Sequence, residues 1–448
     1  MKDKKNLYPV LLLFITAISI YYLIQFRNDA GTKYDYYLSE ARKASEGGVE
    51  STALEYYQQA ISLNPSDALS YEVGQMYLLN EDYWNAKRWY EREMLPKYPQ
   101  SPLTYKLGIE QSIAREDYSD LFEIYVSCKE QQLSDENIEA LVEPFENEFK
   151  LSGSYAAVGG FSNIVAYAPV FTEFNGWEYI DIDGSSVISK KYQKAGVFSQ
   201  FAAIVDEKGK PFFIDKEGNS AISGSYLSDA NDSVAGITEF RDYSDDLILA
   251  QSESGWGYYD SKSYKLKYGH YADATPFSNG VSAVTRDAKK WALLAKDGNE
   301  ISGYDYDSIV SDFKGFICRT DAVIVEKAKY YYLIDKEGKA ISNQRYGRAK
   351  AFNDATLAAV NKEGKWLFVN SAGEEKDLGD FQEVESFSNG LAAVKNNGMW
   401  GFIDMEGNLV IDYQFEETTP MSKYGTAFVK KTSGKWALLR FYYYKYNK

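Results

Sequence analysis

Phe387-Ser-Asn-Gly-Leu-Ala-Ala-Val394, followed by Trp400-Gly-Phe-Ile-Asp404, Gly407, Val410-Ile411 and Phe415, is one copy of a unit that fills the chain from about residue 150 to 440. Its anchor position recurs at Trp177, Pro211, Trp256, Trp291, Tyr331, Trp366, Trp400 and Trp436. Six of the eight Trp of the chain sit there. From Trp177 to Trp436, seven steps cover 259 residues, a mean period of 37. Fifteen steps beyond each of the first seven anchors stands an aromatic: Tyr192, Tyr226, Tyr271, Tyr306, Tyr346, Phe381 and Phe415. A fixed step inside a variable period marks a rigid supersecondary unit joined by tolerant loops.

Each unit reads as short strands separated by turns. In the copy quoted, Leu391–Val394, Trp400–Ile403 and Leu409–Ile411 are strands, and Phe415 marks a fourth. Asn396-Asn-Gly398 is a tight-turn signal with left-handed positions. Asp404-Met-Glu-Gly407 is a second turn, echoed by Asp181-Ile-Asp-Gly184, Asp215-Lys-Glu-Gly218, Lys296-Asp-Gly298 and Asp335-Lys-Glu-Gly338. Asp181-Ile-Asp183 looks like half a calcium loop, but its place in the repeat matches plain turns in which the Asp side chain accepts from backbone N–H groups.

The units resemble the WG-repeat (KWG) family. The residues that carry the resemblance are Trp256-Gly257, Trp400-Gly401, the Phe-Ser-Asn-Gly runs at 277–280 and 387–390, and the Asp-Lys-Glu-Gly turns. Elsewhere the pattern departs: Glu178, Ala292, Leu367 and Ala437 follow the Trp, and Pro211 and Tyr331 replace it. The resemblance implies a β-rich repeat structure and carries little about chemistry. One large aromatic per repeat at fixed register suits a layered core better than a sugar-stacking face.

The two ends of the array are complementary. No fifteenth-step aromatic follows Trp436, while Leu151-Ser-Gly-Ser-Tyr155 and Phe161 repeat the spacing of Ile188–Tyr192 and Phe198. The domain therefore starts with the tail of a unit and finishes with the head of one. This favours a closed eight-unit β-propeller, whose ends share a blade, over an open β-solenoid with two free edges.

Residues 33–149 carry helical periodicity with a second repeat. Gly74 and Gly108 are 34 apart, as are Pro65 and Pro99, and Asn80-Glu-Asp-Tyr is echoed by Arg115-Glu-Asp-Tyr118. A 34-residue helical hairpin with small residues at its crossings resembles the tetratricopeptide repeat. That resemblance implies either a groove for an extended peptide or helix, or a spacer for the next domain. Asp135–Lys150 reads as a closing helix kinked near Pro144.

Residues 7–26 run twenty positions without a charge, with Lys2, Lys4 and Lys5 before and Arg27 after. This predicts a single N-terminal transmembrane signal anchor, with residues 1–6 cytoplasmic and the bulk of the chain outside the cell membrane. A cleaved signal peptide is the competing reading, but Gln25-Phe26-Arg27 offers no small-x-small site. The predicted class is thus an α+β multidomain protein: anchor at 7–26, helical repeats at 33–149, all-β repeats at 150–440 and a Tyr-rich tail at 441–448.

The formal net charge of −16 and pI near 4.8 argue against a nucleic-acid partner. Two Cys, Cys128 and Cys318, and one His, His270, leave no disulfide framework, metal-ligand spacing or triad. No cofactor motif is present. Glu173 with Glu178, and Asp242 with Asp245 and Asp246, are the oddest acidic groups, and Asp245-Asp246 occupies a turn position. The sequence points to a non-catalytic scaffold that recruits a protein partner in the envelope. A cell-wall or carbohydrate-binding module is the alternative, and a glycan-acting enzyme the third.

Overall fold

Met1–Glu148 and Phe149–Lys448 form separate units in the computed structural model, which describes residues 12–21, 30–200, 202–229 and 236–446.

The first unit is helical. Ala30–Glu46 packs on Glu50–Leu63, Asp67–Leu79 on Tyr83–Trp89, and Pro102–Ala114 on Tyr118–Glu130. The Asn80-Glu-Asp and Arg115-Glu-Asp echoes have one mechanism. Glu81 and Glu116 take left-handed backbone at φ 58° and 54°. Asp82 and Asp117 then cap the next helix by accepting from Asn85 N and Asp120 N at 3.2 Å. Gly74 sits where a Cβ would stand 2.3 Å from Leu107 Cδ2, which is why that crossing needs glycine. The predicted closing helix is shorter than the sequence suggested: Glu136–Val142 ends in a turn through Pro144, and Phe149 already begins a strand.

The expected membrane span is corrected. Of residues 7–26, only 12–21 are described, and they are helical. The remaining positions of the expected span lie outside the described residues. No helix among the described residues is long and apolar enough to cross a membrane.

The second unit is an eight-bladed β-propeller, with eight sheets among the described residues. Blade seven shows the plan: Glu383–Val384 innermost, then Ala392–Asn396, Met399–Ile403 and Leu409–Phe415. The sequence had placed its four strands one step too late. Phe415 belongs to the outermost strand, and the innermost is a two-residue piece before Phe387. Asn397 and Gly398 turn the hairpin at φ 48° and 80°, as the Asn-Asn-Gly signal predicted.

The fifteen-residue step is now explained. It joins cross-strand partners: Trp177 with Tyr192, Trp256 with Tyr271, Trp291 with Tyr306, Tyr331 with Tyr346 and Trp400 with Phe415. Trp436 finds its partner in Tyr155, because Phe149–Tyr155 forms the outermost strand of blade eight beside Trp436–Phe441. One apolar layer lies between each pair of neighbouring blades. The layer that closes the ring sets Phe428 and Leu438 of blade eight against Phe161, Val170 and Ile180 of blade one. Trp256, Trp366 and Trp400 are buried, whereas Trp177, Trp291 and Trp436, with Pro211 and Tyr331, are half-buried.

Candidate functional site

The Phe-Ser-Asn-Gly turns of blades four and seven tie each of those two blades to the next. Phe277 and Phe387 are buried. Asn279 and Asn389 take φ 53°, and Gly280 and Gly390 φ 83°. Ser388 Oγ and Asn389 Nδ2 both donate to Met421 O, at 2.8 Å. Ser278 Oγ accepts from Cys318 N at 3.1 Å, and Asn279 Nδ2 donates to Thr320 O at 2.5 Å. Asp245 and Asp354 accept from Gly280 N and Asn389 N, one blade further on. Asp245 and Asp246 are themselves a left-handed turn at φ 52° and 64°.

Blade five breaks this uniformity. Its innermost strand pairs Ile309 with Val325, a gap of sixteen, where Val384 pairs with Val394, a gap of ten. The extra residues form a loop, 311–319, that enters the central channel. Its Phe313 reaches blade one on the opposite side of the ring, where a Cβ on Gly160 would stand 2.5 Å from Phe313 Cε2. Phe313 thereby divides the channel. A cavity along the innermost strands is lined by residues such as Val158, Asp312, Lys350, Glu385 and Thr418. A second, at the C-terminal ends of those strands, is lined by Asn163, Ile164, Lys314, Arg319, Asn353 and Pro420 among others.

Asp312 holds the loop in shape. Its carboxylate accepts from Lys314 N at 2.8 Å, Phe316 N at 3.0 Å and Arg319 Nε at 2.7 Å. Arg319 is thereby neutralised. Lys314 is not: among the described residues its ammonium makes no hydrogen bond or ion pair, and burial, then Arg319, pulls it down to about 8. Asp242 of blade three faces the same region. Burial pushes its carboxyl up to about 7, against the hydrogen bond from Tyr243 N at 2.6 Å. Further along the hub, Lys350 pairs with Glu385 at 2.7 Å and Arg348 with Glu383 at 2.9 Å, each linking blade six to blade seven.

The other acidic candidates are occupied by structure. Glu173 pairs with Lys435 at 2.8 Å and Glu178 with Lys191, so the two carboxylates serve different lysines. In the Asp-x-x-Gly turns, Asp181 Oδ1 accepts from Asp183 N and Ser185 N, and Asp404 Oδ1 from Glu406 N and Asn408 N, at 2.8–3.0 Å. These are the same turn, and Asp181-Ile-Asp183 is one of the set. Among the described residues no group of three metal-ligating side chains gathers. His270 is an exposed residue at φ 69° in the outermost strand of blade three. In the helical unit, Glu110 accepts from Tyr71 Oη at 2.9 Å and Gln75 Nε2 at 2.5 Å, and burial raises its carboxyl above the usual range.

The loop 311–319 escaped the sequence reading. Its trace was the interval from Trp291 to Tyr331, forty residues against thirty-five on either side.

A family model described as WG-containing repeat matches residues 333–366, 379–400 and 400–436. Residues 333–436 thus carry WG-containing repeats, and the β repeats of the second unit form a propeller. No curated protein matches it. Among solved structures, the computationally designed Ika8 protein is 12% identical over 64% of this chain and 95% of its own, with a TM-score of 0.40. BamB from Moraxella catarrhalis is 11% identical over 63% and 84%, at 0.29. The WD40 β-propeller domain of Doa1 is 10% identical over 65% and 96%, at 0.33. At such scores the architecture rests on the strand pairing described above.

Proposed function

We propose that the protein is a non-catalytic interaction scaffold that recruits a protein partner of the cell envelope at the mouth of its propeller channel. The observation that carries this reading is the apolar rim there. Ile164 and Phe313 are 52% and 51% exposed beside Pro420 and line one cavity together, whereas the other exposed large side chains of the propeller, Phe174, Tyr226, Tyr330 and Leu409, do not line it. Exposed aromatic and aliphatic side chains ringed by polar groups are the composition of a protein-binding patch. Glu173 and Glu178 are taken up by lysines, and Asp245 with Asp246 forms a turn, which supports recognition as the work of this surface.

The test is capture by the immobilised full chain from an envelope protein extract, with purified wall glycan as the competing arm. Ile164→Ser combined with Phe313→Ser should lower protein capture at least tenfold while leaving the melting of the helical unit unchanged. Retention of glycan by the full chain, with protein capture insensitive to both substitutions, would replace this reading with the carbohydrate-binding one.

A further inference from the structure

The channel mouth combines three properties. First, it holds a cation without a contacting counter-ion. Arg319 is matched by Asp312, whereas the Lys314 ammonium lies over the Phe313 ring at 5.5 Å and, among the described residues, makes no hydrogen bond or ion pair, with Asp312 and Asp242 acting on it only from a distance. Second, it offers a hydrogen-bond donor. Asn163 uses Oδ1 to accept from Lys423 N at 3.1 Å, which leaves its amide N–H groups for another acceptor. Ser388 Oγ is committed to Met421 O, Ser422 Oγ to Thr426 Oγ1, and Asn353 Nδ2 to Ser386 O. Third, it is small and partly apolar. Its volume is about 120 Å³, and Phe161, Phe313 and Ile164 line it. A water molecule claims about 30 Å³, so the space suits a group of a few heavy atoms.

We propose that this mouth is a carboxylate-binding site, in which the Lys314 ammonium and the Asn163 amide hold the carboxylate of a short aliphatic acid and Phe313 seats its stem. The charge selects the class. Lys314 and Arg319 against Asp312 leave one net positive charge while burial keeps Asp242 protonated, which balances a monoanion, whereas a phosphate dianion would leave an excess negative charge. The chain as a whole carries −16, so a free acid is drawn to this point by local hydrogen bonding and not by the long-range field. The inference goes beyond the interaction reading, because a free short-chain acid satisfies the site as well as a partner's carboxylate does.

Saturation-transfer NMR on the full chain with sodium propionate tests it, at ionic strength fixed with sodium chloride. Wild type should bind with Kd on the order of 1 mM, the range for a ligand of five heavy atoms. Lys314→Met should weaken this at least tenfold, Lys314→Arg should retain it within threefold, and Asn163→Ala should cost about threefold. Circular dichroism melting of each variant reports folding independently. n-Propanol, the neutral analogue, and inorganic phosphate should bind at least tenfold more weakly than propionate. Equal binding of propionate by wild type and Lys314→Met, or equal binding of propionate and propanol, overturns the proposal. An Ala-Ala-Ala peptide with a free C-terminus, compared with its amide, identifies the source. Tighter binding than propionate, lost on amidation, assigns a partner's chain end, and weaker binding assigns a free acid. In neither case does the result depend on protein capture by the rim.

Discussion

Trp436 and Tyr155 are cross-strand partners, so the first strand of the propeller completes its last blade. Phe149, Lys150, Leu151 and Ser152 continue the ladder opposite Phe441, Arg440, Leu439 and Leu438. In a closed ring each blade depends on both neighbours, unlike an open array whose stability is close to a sum of adjacent terms. Leu439→Asp places a charge at a fully buried position of this seam. The whole β unit should then lose protection together. Hydrogen exchange at Ala283 and Val323, on the far side of the ring, should accelerate as much as exchange at Leu151.

Gly160 and Phe313 make a second closure, across the channel. Gly160→Ala should cost about 1–3 kcal/mol by urea denaturation, because the new methyl overlaps the ring. Phe313→Ala in the same chain should recover most of that loss. Additive costs in the double mutant would show that the ring does not rest on Gly160.

Trp400 is buried and packs with Phe402, Phe415 and Met421, and Trp177 is only half-buried. Trp400→Ala should destabilise the β unit by roughly 3–5 kcal/mol. Trp177→Ala should cost distinctly less in the same denaturation series. A folded Trp400→Ala chain that lost only binding would make this Trp a contact residue instead.

Asp242 makes stability depend on pH in an unusual direction. Its carboxyl titrates near 7 in the fold, above the ordinary 3.8. The folded state therefore keeps a proton that the unfolded chain releases. This contribution is complete below pH 4 and is lost as pH rises through 7, by up to roughly 4 kcal/mol. Lys314, lowered to about 8 from 10.5, adds a rise in stability between those two values. Arg319 and Asp312 on its own loop and Asp242 on blade three are the charges that face it. Other carboxylates, such as Asp215 and Asp260 in their turns, are lowered and act in the opposite sense. Asp242→Asn should thus stabilise the β unit at pH 8 relative to wild type and leave pH 4 stability nearly unchanged. Equal differences at both pH values would contradict the assignment.

The parts of the fold that were legible in the sequence are those with a chemical reason to repeat. The fifteen-residue step is a cross-strand aromatic pair, the Asn-Gly and Asp-x-x-Gly signals are left-handed turns, and the missing half-unit is the closing strand. The innermost strands were not legible, because a piece as short as Glu383–Val384 is too brief to show alternation. The candidate site was less legible still. It is made by an insertion, and insertions carry no period. Lys314 and Phe313 look like ordinary loop residues until Gly160, from the other side of the ring, gives Phe313 its place. The expected span at 7–26 shows the converse failure. A count of uncharged residues measures hydropathy alone, and no helix among the described residues is long and apolar enough to cross a membrane.

The seam between Tyr155 and Trp436 also sets a schedule for the ribosome. About 290 residues separate Tyr155 from Phe441. At ordinary rates of synthesis, roughly 15–60 s pass between the emergence of the first strand and that of its partner. During that interval Phe149–Tyr155 is an unpaired edge, and every later blade adds another. The nascent chain is thus exposed to edge-to-edge association for longest at its earliest-made strand, and a holding factor that shields it until termination would govern the yield of native protein.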